Sequence, residues 1–156
     1  MCEVCNTKLR ISFLNETLGC ISQMSQDVRL VDMTHQVLLV DDDPPTRLVY
    51  NEILTRMKLD VAEAIDGVKA IELLSHYTPD VIILDLLLPR KSGLEVLDYI
   101  YSAPHLEDTR VIIFSAHQGL TPLKLRKGDE FLLKPLNPQL LREAVLRAFS
   151  SQQTKP

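Results

Sequence analysis

From residue 36 onward, the chain alternates short apolar runs with segments in which apolar residues recur every three or four positions. Such alternation is typical of strand–helix repeats that build a parallel sheet. Five strands are predicted, at residues 36–40, 61–65, 79–84, 110–114 and 130–133. The first and the third lack polar alternation, as expected for central strands that are covered by helices on both faces. The pattern therefore predicts an α/β layer fold.

Helices are predicted between these strands. Their expected beginnings are Pro44, Val68, a cap at Ser92 and the pair Asn137-Pro138. In the first helix, Val49, Ile53 and Met57 recur at a spacing of four and are expected to form its apolar stripe. The interval 118–127 contains a glycine, a proline and three basic residues, so only a short or irregular helix is expected there.

The composition disfavours nucleic acid and membranes as partners. Hydrophobic residues make up 46%, charged residues 24%, and the formal net charge is -4, which gives no electrostatic attraction to nucleic acid or to an anionic membrane. No apolar run approaches the roughly 18 residues of a membrane span, and the N-terminus lacks the basic and apolar regions of a signal peptide. A globular protein of the cytoplasm is therefore expected.

Residues 1–34 lack the organisation of the rest of the chain. The three cysteines all lie there: Cys2, Cys5 and Cys20. The spacing of the first two is compatible with half of a zinc site or with a redox pair, but a flexible tail is favoured. The segment Met33-Thr-His-Gln leads into the first strand as the normal start of such a domain would, so translation is expected to begin at Met33 or residues 1–34 to be a flexible extension. One domain is expected over residues 35–150, followed by the polar tail 151–156 and no output domain.

Acidic, hydroxyl and basic side chains follow four of the predicted strands. They are Asp41, Asp42 and Asp43 after the first strand, Asp85 after the third, Ser115 after the fourth and Lys134 after the fifth. The carboxyl ends of parallel strands meet at one edge of a sheet, so these side chains are expected to lie together. Asp43 is an exception, because an acid directly before two prolines is better explained as a helix cap.

Several carboxylates at one edge require a cation. Two carboxylates about 4 Å apart repel by roughly 4 kcal/mol at an effective dielectric constant near 20. Oxygen ligands without histidine or cysteine indicate a hard ion such as Mg²⁺, and Lys134 adds a second positive charge. A carboxylate nucleophile, a metal, a hydroxyl and a lysine around one point are the groups needed to accept and hold a phosphoryl group.

Four segments of the chain, LLVDDD, VIILDLLLPRKSG, IIFSA and LLKP, resemble the receiver domain of bacterial two-component response regulators. The resemblance covers residues 35–150 and implies a five-stranded parallel sheet in the flavodoxin-like order 2-1-3-4-5, with helices on both faces. It also implies a role for each strand-end residue. Asp85 matches the phosphoacceptor, Asp41 and Asp42 the Mg²⁺-binding acid pair, the backbone carbonyl of Leu87 a third metal ligand, and Ser115 and Lys134 the groups that bind the phosphoryl oxygens.

The resemblance extends to residues around these positions. Phe131 matches the aromatic switch position of the family, although a plain core role fits it equally well. Lys134-Pro135 stands where the family usually has a cis peptide bond. His117 stands where the family tunes the lifetime of the phosphoryl group, or it is a solvated loop residue. The interval from Ser115 to Lys134 is shorter than the family norm, so a truncated fourth helix and an altered signalling surface are expected.

The resemblance implies a stand-alone receiver that takes a phosphoryl group on Asp85 from a histidine kinase or phosphotransfer protein and signals to a downstream effector protein. We expect a monomer or weak homodimer with no enzyme activity beyond its own phosphorylation and dephosphorylation. A receiver-like interaction module that does not depend on phosphorylation is an alternative, because the fourth helix is altered. An aspartyl phosphohydrolase using Asp41-Asp42-Asp43 is disfavoured, since Pro45 stands where such an enzyme needs a hydroxyl or a valine.

Overall fold

The computed structural model of the chain describes residues 35–116, 124–135 and 137–152. Five strands and four α-helices lie in these residues. The strands are β1 (Gln36–Val40), β2 (Asp60–Ala64), β3 (Val81–Asp85), β4 (Arg110–Ser115) and β5 (Glu130–Leu133). The helices are α1 (Pro44–Arg56), α2 (Gly67–Leu74), α3 (Gly93–Ser102) and α4 (Pro138–Gln152), with a 3₁₀ turn at Pro104–Leu106.

All five strands are parallel and follow the order β2-β1-β3-β4-β5. The predicted α/β fold and the strand order are therefore confirmed. Strands β1 and β3 are neighbours, with Val40 beside Leu84, and the last residue of β3, Asp85, pairs with Phe114 of β4. The strand order changes direction at β1, so the carboxyl ends of β1 and β3 border the crevice in which such sheets bind ligands.

Two apolar clusters lie on opposite faces of the sheet. The side chains of β1 alternate between them: Val37 and Leu39 pack with α1 and α4, whereas Leu38 and Val40 pack with α2 and α3. Because the central strands are buried on both faces, a continuous apolar sequence is required there. This two-sided burial fixes the positions of the strand ends that carry the acidic residues.

Helix α1 buries only part of the stripe that its spacing predicted: Ile53 is buried and Met57 packs against the core. Tyr50, Ile53 and Leu54 are buried, but Val49 is 50% exposed, so its predicted place in the apolar stripe is wrong. A spacing of four residues advances about 40° beyond a full turn at each step, and residues spaced in this way therefore leave one face. The buried residues follow the alternation of three and four positions that is typical of an amphipathic helix.

Polar side chains fix the points at which the other helices begin. Asp66 caps α2, and Ser92 and Glu95 form a capping box at α3. The Asn137 side chain accepts a hydrogen bond from a backbone N–H in the first turn of α4. The predicted caps at Ser92 and Asn137 are confirmed. None of the helices in the described part of the chain has the length and apolarity that crossing a membrane requires.

The short helix predicted at residues 118–127 lies mostly outside the described residues. Its last part, residues 124–127, is described and is not helical. Arg126 there donates hydrogen bonds to the backbone oxygens of Leu106 and Thr109, which hold the segment against the start of β4. The expectations for residues 1–34, with their cysteines and Met33, and for His117 also fall outside the described residues.

Candidate functional site

The three acidic residues after β1 have different surroundings. Asp41 is buried, whereas Asp42 and Asp43 are exposed. Asp43 caps α1, since its Oδ2 accepts hydrogen bonds from the Thr46 hydroxyl at 2.5 Å and from the Thr46 N–H at 3.0 Å. The hydroxyl bond, followed by the N–H bond, lowers the pKa of the Asp43 carboxyl. The predicted cap is confirmed, and it leaves Asp41 and Asp42 to form the acid pair.

Asp85 is the last residue of β3 and is 6% exposed. Its Oδ1 accepts a hydrogen bond from the Leu87 N–H at 3.0 Å. Helix α3 begins close to this strand end, because a Cβ at Gly93 would lie only 2.1 Å from the Asp85 carbonyl oxygen. A glycine at position 93 is therefore required for α3 to approach the strand end that carries Asp85.

Lys134 joins the two buried acids. Its Nζ donates to Asp41 Oδ2 at 2.6 Å and to Asp85 Oδ2 at 2.5 Å. Burial alone would lower the pKa of Lys134, but the hydrogen bonds and charges of both carboxylates together raise it above its usual value. The backbone N–H of Lys134 donates to the Ser115 carbonyl oxygen at 3.0 Å, and the Lys134-Pro135 peptide bond is cis, as the resemblance implied.

The carboxylates of Asp41, Asp42 and Asp85 form a compact group. One oxygen from each lies within 4.8 Å of the others. This anionic, all-oxygen donor set fits a hard divalent cation such as Mg²⁺. The single charge of Lys134 offsets only part of three negative charges, so a bound cation would further stabilise the group.

The model of one protein family, the response regulator receiver domain, matches residues 37–146. The matched region includes the four charged residues that the fold brings together. The chain belongs to the response regulator receiver domain family. Receiver domains are signalling domains of two-component systems, so the resemblance seen in the sequence is confirmed.

Similar proteins include a response regulator protein that was solved with magnesium. The Regulator of RpoS from Escherichia coli (strain K12) is 34% identical over 114 residues, which cover 70% of this chain and 33% of that protein. The chain thus spans about a third of that relative's length. The signal receiver domain of a Luxo repressor protein from Vibrio parahaemolyticus has a TM-score of 0.69 and 31% identity, over 78% of this chain and 94% of that chain. The response regulator protein TrrA from Thermotoga maritima, in complex with Mg²⁺-BeF, has a TM-score of 0.66 and 29% identity, over 73% of this chain and 98% of that chain.

The receiver domain places the other predicted site residues in three environments. Ser115 is fully buried at the end of β4, the strand next to β3. The Leu87 side chain is 54% exposed on the loop after β3. Phe131 on β5 is partly buried against the apolar cluster that includes α2 and α3. Ser115 thus ends the strand beside β3, the Leu87 backbone contacts Asp85 from the loop that follows β3, and Phe131 packs against the apolar cluster.

Two polar contacts near the site are not apparent from the sequence pattern. Arg47 of α1 donates to the Asp41 carbonyl oxygen at 2.9 Å. Arg90, on the loop after β3, contacts the buried Asp66 that caps α2. The sequence does show that Arg47 lies early in a helix, where a cation opposes the helix dipole and is therefore unusual. It does not show which groups Arg47 contacts. Arg90 has no comparable signal, because its partner belongs to a different strand–helix unit.

Proposed function

We propose that Asp85 accepts a phosphoryl group from a phosphohistidine on a partner histidine kinase or phosphotransfer protein. The observation that carries the proposal is the contact of the Lys134 ammonium with both Asp85 and Asp41, beside the exposed carboxylate of Asp42. In the transfer, an Asp85 oxygen bonds to phosphorus while the phosphorus–nitrogen bond breaks, and the histidine ring keeps the electron pair of that bond. The receiver unit is proposed to span residues 35–150.

Each neighbouring group has a part in this step. Asp85 lies at the end of a buried strand, so its attacking oxygen is positioned before the reaction. Lys134 is proposed to neutralise charge on the incoming phosphoryl group, and Ser115 to donate a hydrogen bond to one of its oxygens. A bound Mg²⁺, held by the three carboxylates and the Leu87 carbonyl, would supply further charge neutralisation. The only catalysis proposed is the domain's own phosphorylation and dephosphorylation.

The phosphoryl group is proposed to act as a switch. Its negative charge draws the Ser115 hydroxyl toward the site, and Phe131 moves into the space that is vacated. Strands β4 and β5 support this coupling, because Phe131 pairs with Ile113 and Ser115 pairs with Leu133 two register positions further along, so these side chains share one face of the sheet. The surface near these strands then has two states, and a downstream effector protein binds one of them preferentially.

The test is the intact mass of the chain after incubation with acetyl phosphate and Mg²⁺. Wild type is expected to gain the mass of one phosphoryl group. Asp85→Asn replaces the nucleophilic carboxylate with an amide and is expected to abolish this gain. Asp98→Asn changes an exposed carboxylate on α3 in the same way and serves as the matched control, which should behave like wild type.

Removal of Mg²⁺ with a chelator is expected to abolish the gain in wild type as well. An unchanged gain in Asp85→Asn would contradict the assignment of the acceptor. No adduct and no release of phosphate would instead favour an interaction module that does not depend on phosphorylation. Phosphate release without an adduct, lost in Asp85→Asn, would agree with the proposal and indicate rapid hydrolysis.

A further inference from the structure

Arg47 of α1 links the acid pair to the neighbouring strand β2. Its side chain is only 15% exposed, which is low for an arginine near the start of a surface helix. One guanidinium nitrogen, Nη1, donates to the Asp41 carbonyl oxygen at 2.9 Å. Another, Nε, donates to Glu63 Oε2 at 3.3 Å. The planar guanidinium therefore bridges a backbone oxygen at the site and a carboxylate on β2.

Glu63 is itself held in position. Its second oxygen contacts the side-chain amide of Asn51, and the Thr55 hydroxyl donates to that amide's oxygen at 2.9 Å. Both residues lie on α1, as Arg47 does. The Glu63 charge compensates the Arg47 charge, so the arginine contributes a rigid hydrogen-bond donor with little net positive charge near the cation-binding carboxylates.

The Asp41 carbonyl lies at the turn between β1 and α1, beyond the last residue of the strand. On the same residue, the backbone N–H donates to the Ala64 carbonyl oxygen at 3.3 Å, and Oδ1 accepts from the Asp43 N–H at 2.9 Å. Together with the Arg47 bond, these contacts mean that the N–H, the carbonyl and the side chain of Asp41 are all hydrogen-bonded. Arg47 is thus the side chain that holds the Asp41 carbonyl, the backbone group that leads into Asp42.

We infer that Arg47 is a positioning residue for divalent-cation binding, because it fixes the turn from which the Asp41 and Asp42 carboxylates extend. The inference rests on the proposed function, in which these carboxylates hold Mg²⁺. Partners that orient metal ligands without touching the metal typically change affinity about 10- to 100-fold when they are replaced. An arginine that acted through its charge alone would oppose the cation, so its removal would tighten binding.

The experiment is a titration of the full chain with MgCl₂ at constant ionic strength, followed by the backbone amide resonances of the ¹⁵N-labelled protein. In Arg47→Gln, the Mg²⁺ dissociation constant is expected to rise about tenfold. Arg47→Lys keeps the charge but loses the planar guanidinium with its several N–H donors, so its Mg²⁺ dissociation constant should lie between those of wild type and Arg47→Gln. Arg56→Gln removes the same charge from an exposed pair with Glu52 on the same helix, and it should bind Mg²⁺ like wild type.

A further variant separates geometry from charge. Arg47→Gln combined with Glu63→Gln keeps the net charge of wild type, and the weakened affinity should persist in it. Wild-type or tighter affinity in Arg47→Gln would overturn the inference while leaving the proposed function intact. If Arg47→Gln does not fold, Arg47→Lys decides, and wild-type affinity there would overturn the inference. A wild-type chain that shows no Mg²⁺ binding would overturn the metal part of the proposed function and the inference with it.

Discussion

Lys134 provides the charge balance of the site at the scale of single residues. Its Nζ lies within hydrogen-bond distance of Asp41 and Asp85, whose side chains are 2% and 7% exposed. A buried carboxylate without a partner is costly, because it has left water and gained nothing in exchange. The lysine therefore stabilises the folded chain in addition to its proposed part in phosphoryl transfer.

Lys134→Met keeps the length of the side chain and removes its charge and hydrogen bonds. The free energy of unfolding at neutral pH is expected to fall by roughly 2–3 kcal/mol, since Asp41 and Asp85 lose their cation. Urea unfolding measures this change. Lys69→Met removes an exposed pair with Glu72 and is the control, with an expected cost below about 0.5 kcal/mol. Equal losses in the two variants would be inconsistent with this role of Lys134.

At the scale of elements, Tyr101 ties α3 to the segment that precedes β5. Its hydroxyl donates to Asp129 Oδ2 at 2.8 Å, and Asp129 Oδ1 accepts from the Val111 N–H at 2.9 Å. Arg126 lies over the Tyr101 ring, 4.3 Å from its centroid. The pKa of Tyr101 is raised to about 12, chiefly because the side chain is buried and also because its hydroxyl is bonded to Asp129. These contacts fix the beginning of β5, the strand that leads to Lys134.

Tyr101→Phe removes the hydroxyl and is expected to lower the free energy of unfolding by roughly 1–2 kcal/mol at neutral pH, because Asp129 loses a donor. The pKa of Tyr101 is higher in the folded chain than its unfolded value of about 10, so its contribution is complete below about pH 10. That contribution is lost as the pH rises toward about 12. Wild type and variant should therefore converge above pH 10 in a series of urea titrations at increasing pH.

The control for this experiment is Tyr99→Phe, which removes a hydroxyl from a partly buried tyrosine on the same helix. Its difference from wild type, measured in the same series, is the reference against which the pH dependence of Tyr101→Phe is judged. A constant difference for Tyr101→Phe would show that the Tyr101 hydroxyl does not titrate differently in the folded and unfolded chains.

At the scale of the whole molecule, the parallel sheet builds the site from distant parts of the chain. Lys134 is 93 residues from Asp41 and 49 residues from Asp85 along the sequence. The unfolded chain lacks this arrangement, so a cation that needs all three carboxylates binds the folded chain in preference. Mg²⁺ should therefore stabilise the fold.

Thermal unfolding with and without MgCl₂ tests this linkage. At a Mg²⁺ concentration about 100 times the dissociation constant, wild type should gain about 2.7 kcal/mol. Asp42→Asn removes one of three neighbouring negative charges, so without Mg²⁺ it should be at least as stable as wild type. It should nevertheless lose most of the gain. Asp98→Asn should keep the gain, and a full gain in Asp42→Asn would mean that the cation binds at another place.

Local pattern was sufficient to predict much of the fold and the main candidates for the site. The central strands β1 and β3 must be apolar throughout because helices cover both of their faces, and such runs are visible in the sequence. Parallel strands present their carboxyl ends at one edge of the sheet. Asp41, Asp85 and Lys134 stand at predicted strand ends, so the sequence alone predicts that they lie together. The caps at Ser92 and Asn137 were also predictable, because a cap depends on neighbours three residues away.

The sequence by itself thus determined the strand–helix order, the strand ends and the chemical types that meet there, because these depend on residues close together in the chain. The tertiary structure decided which of two consecutive acids is buried, since Asp41 and Asp42 differ only in what packs around them. It also decided that Tyr50 rather than Val49 faces the core, and that Arg47 reaches the Asp41 carbonyl. Those outcomes depend on contacts between elements that are distant in sequence, and they form only when the sheet and its helices pack together.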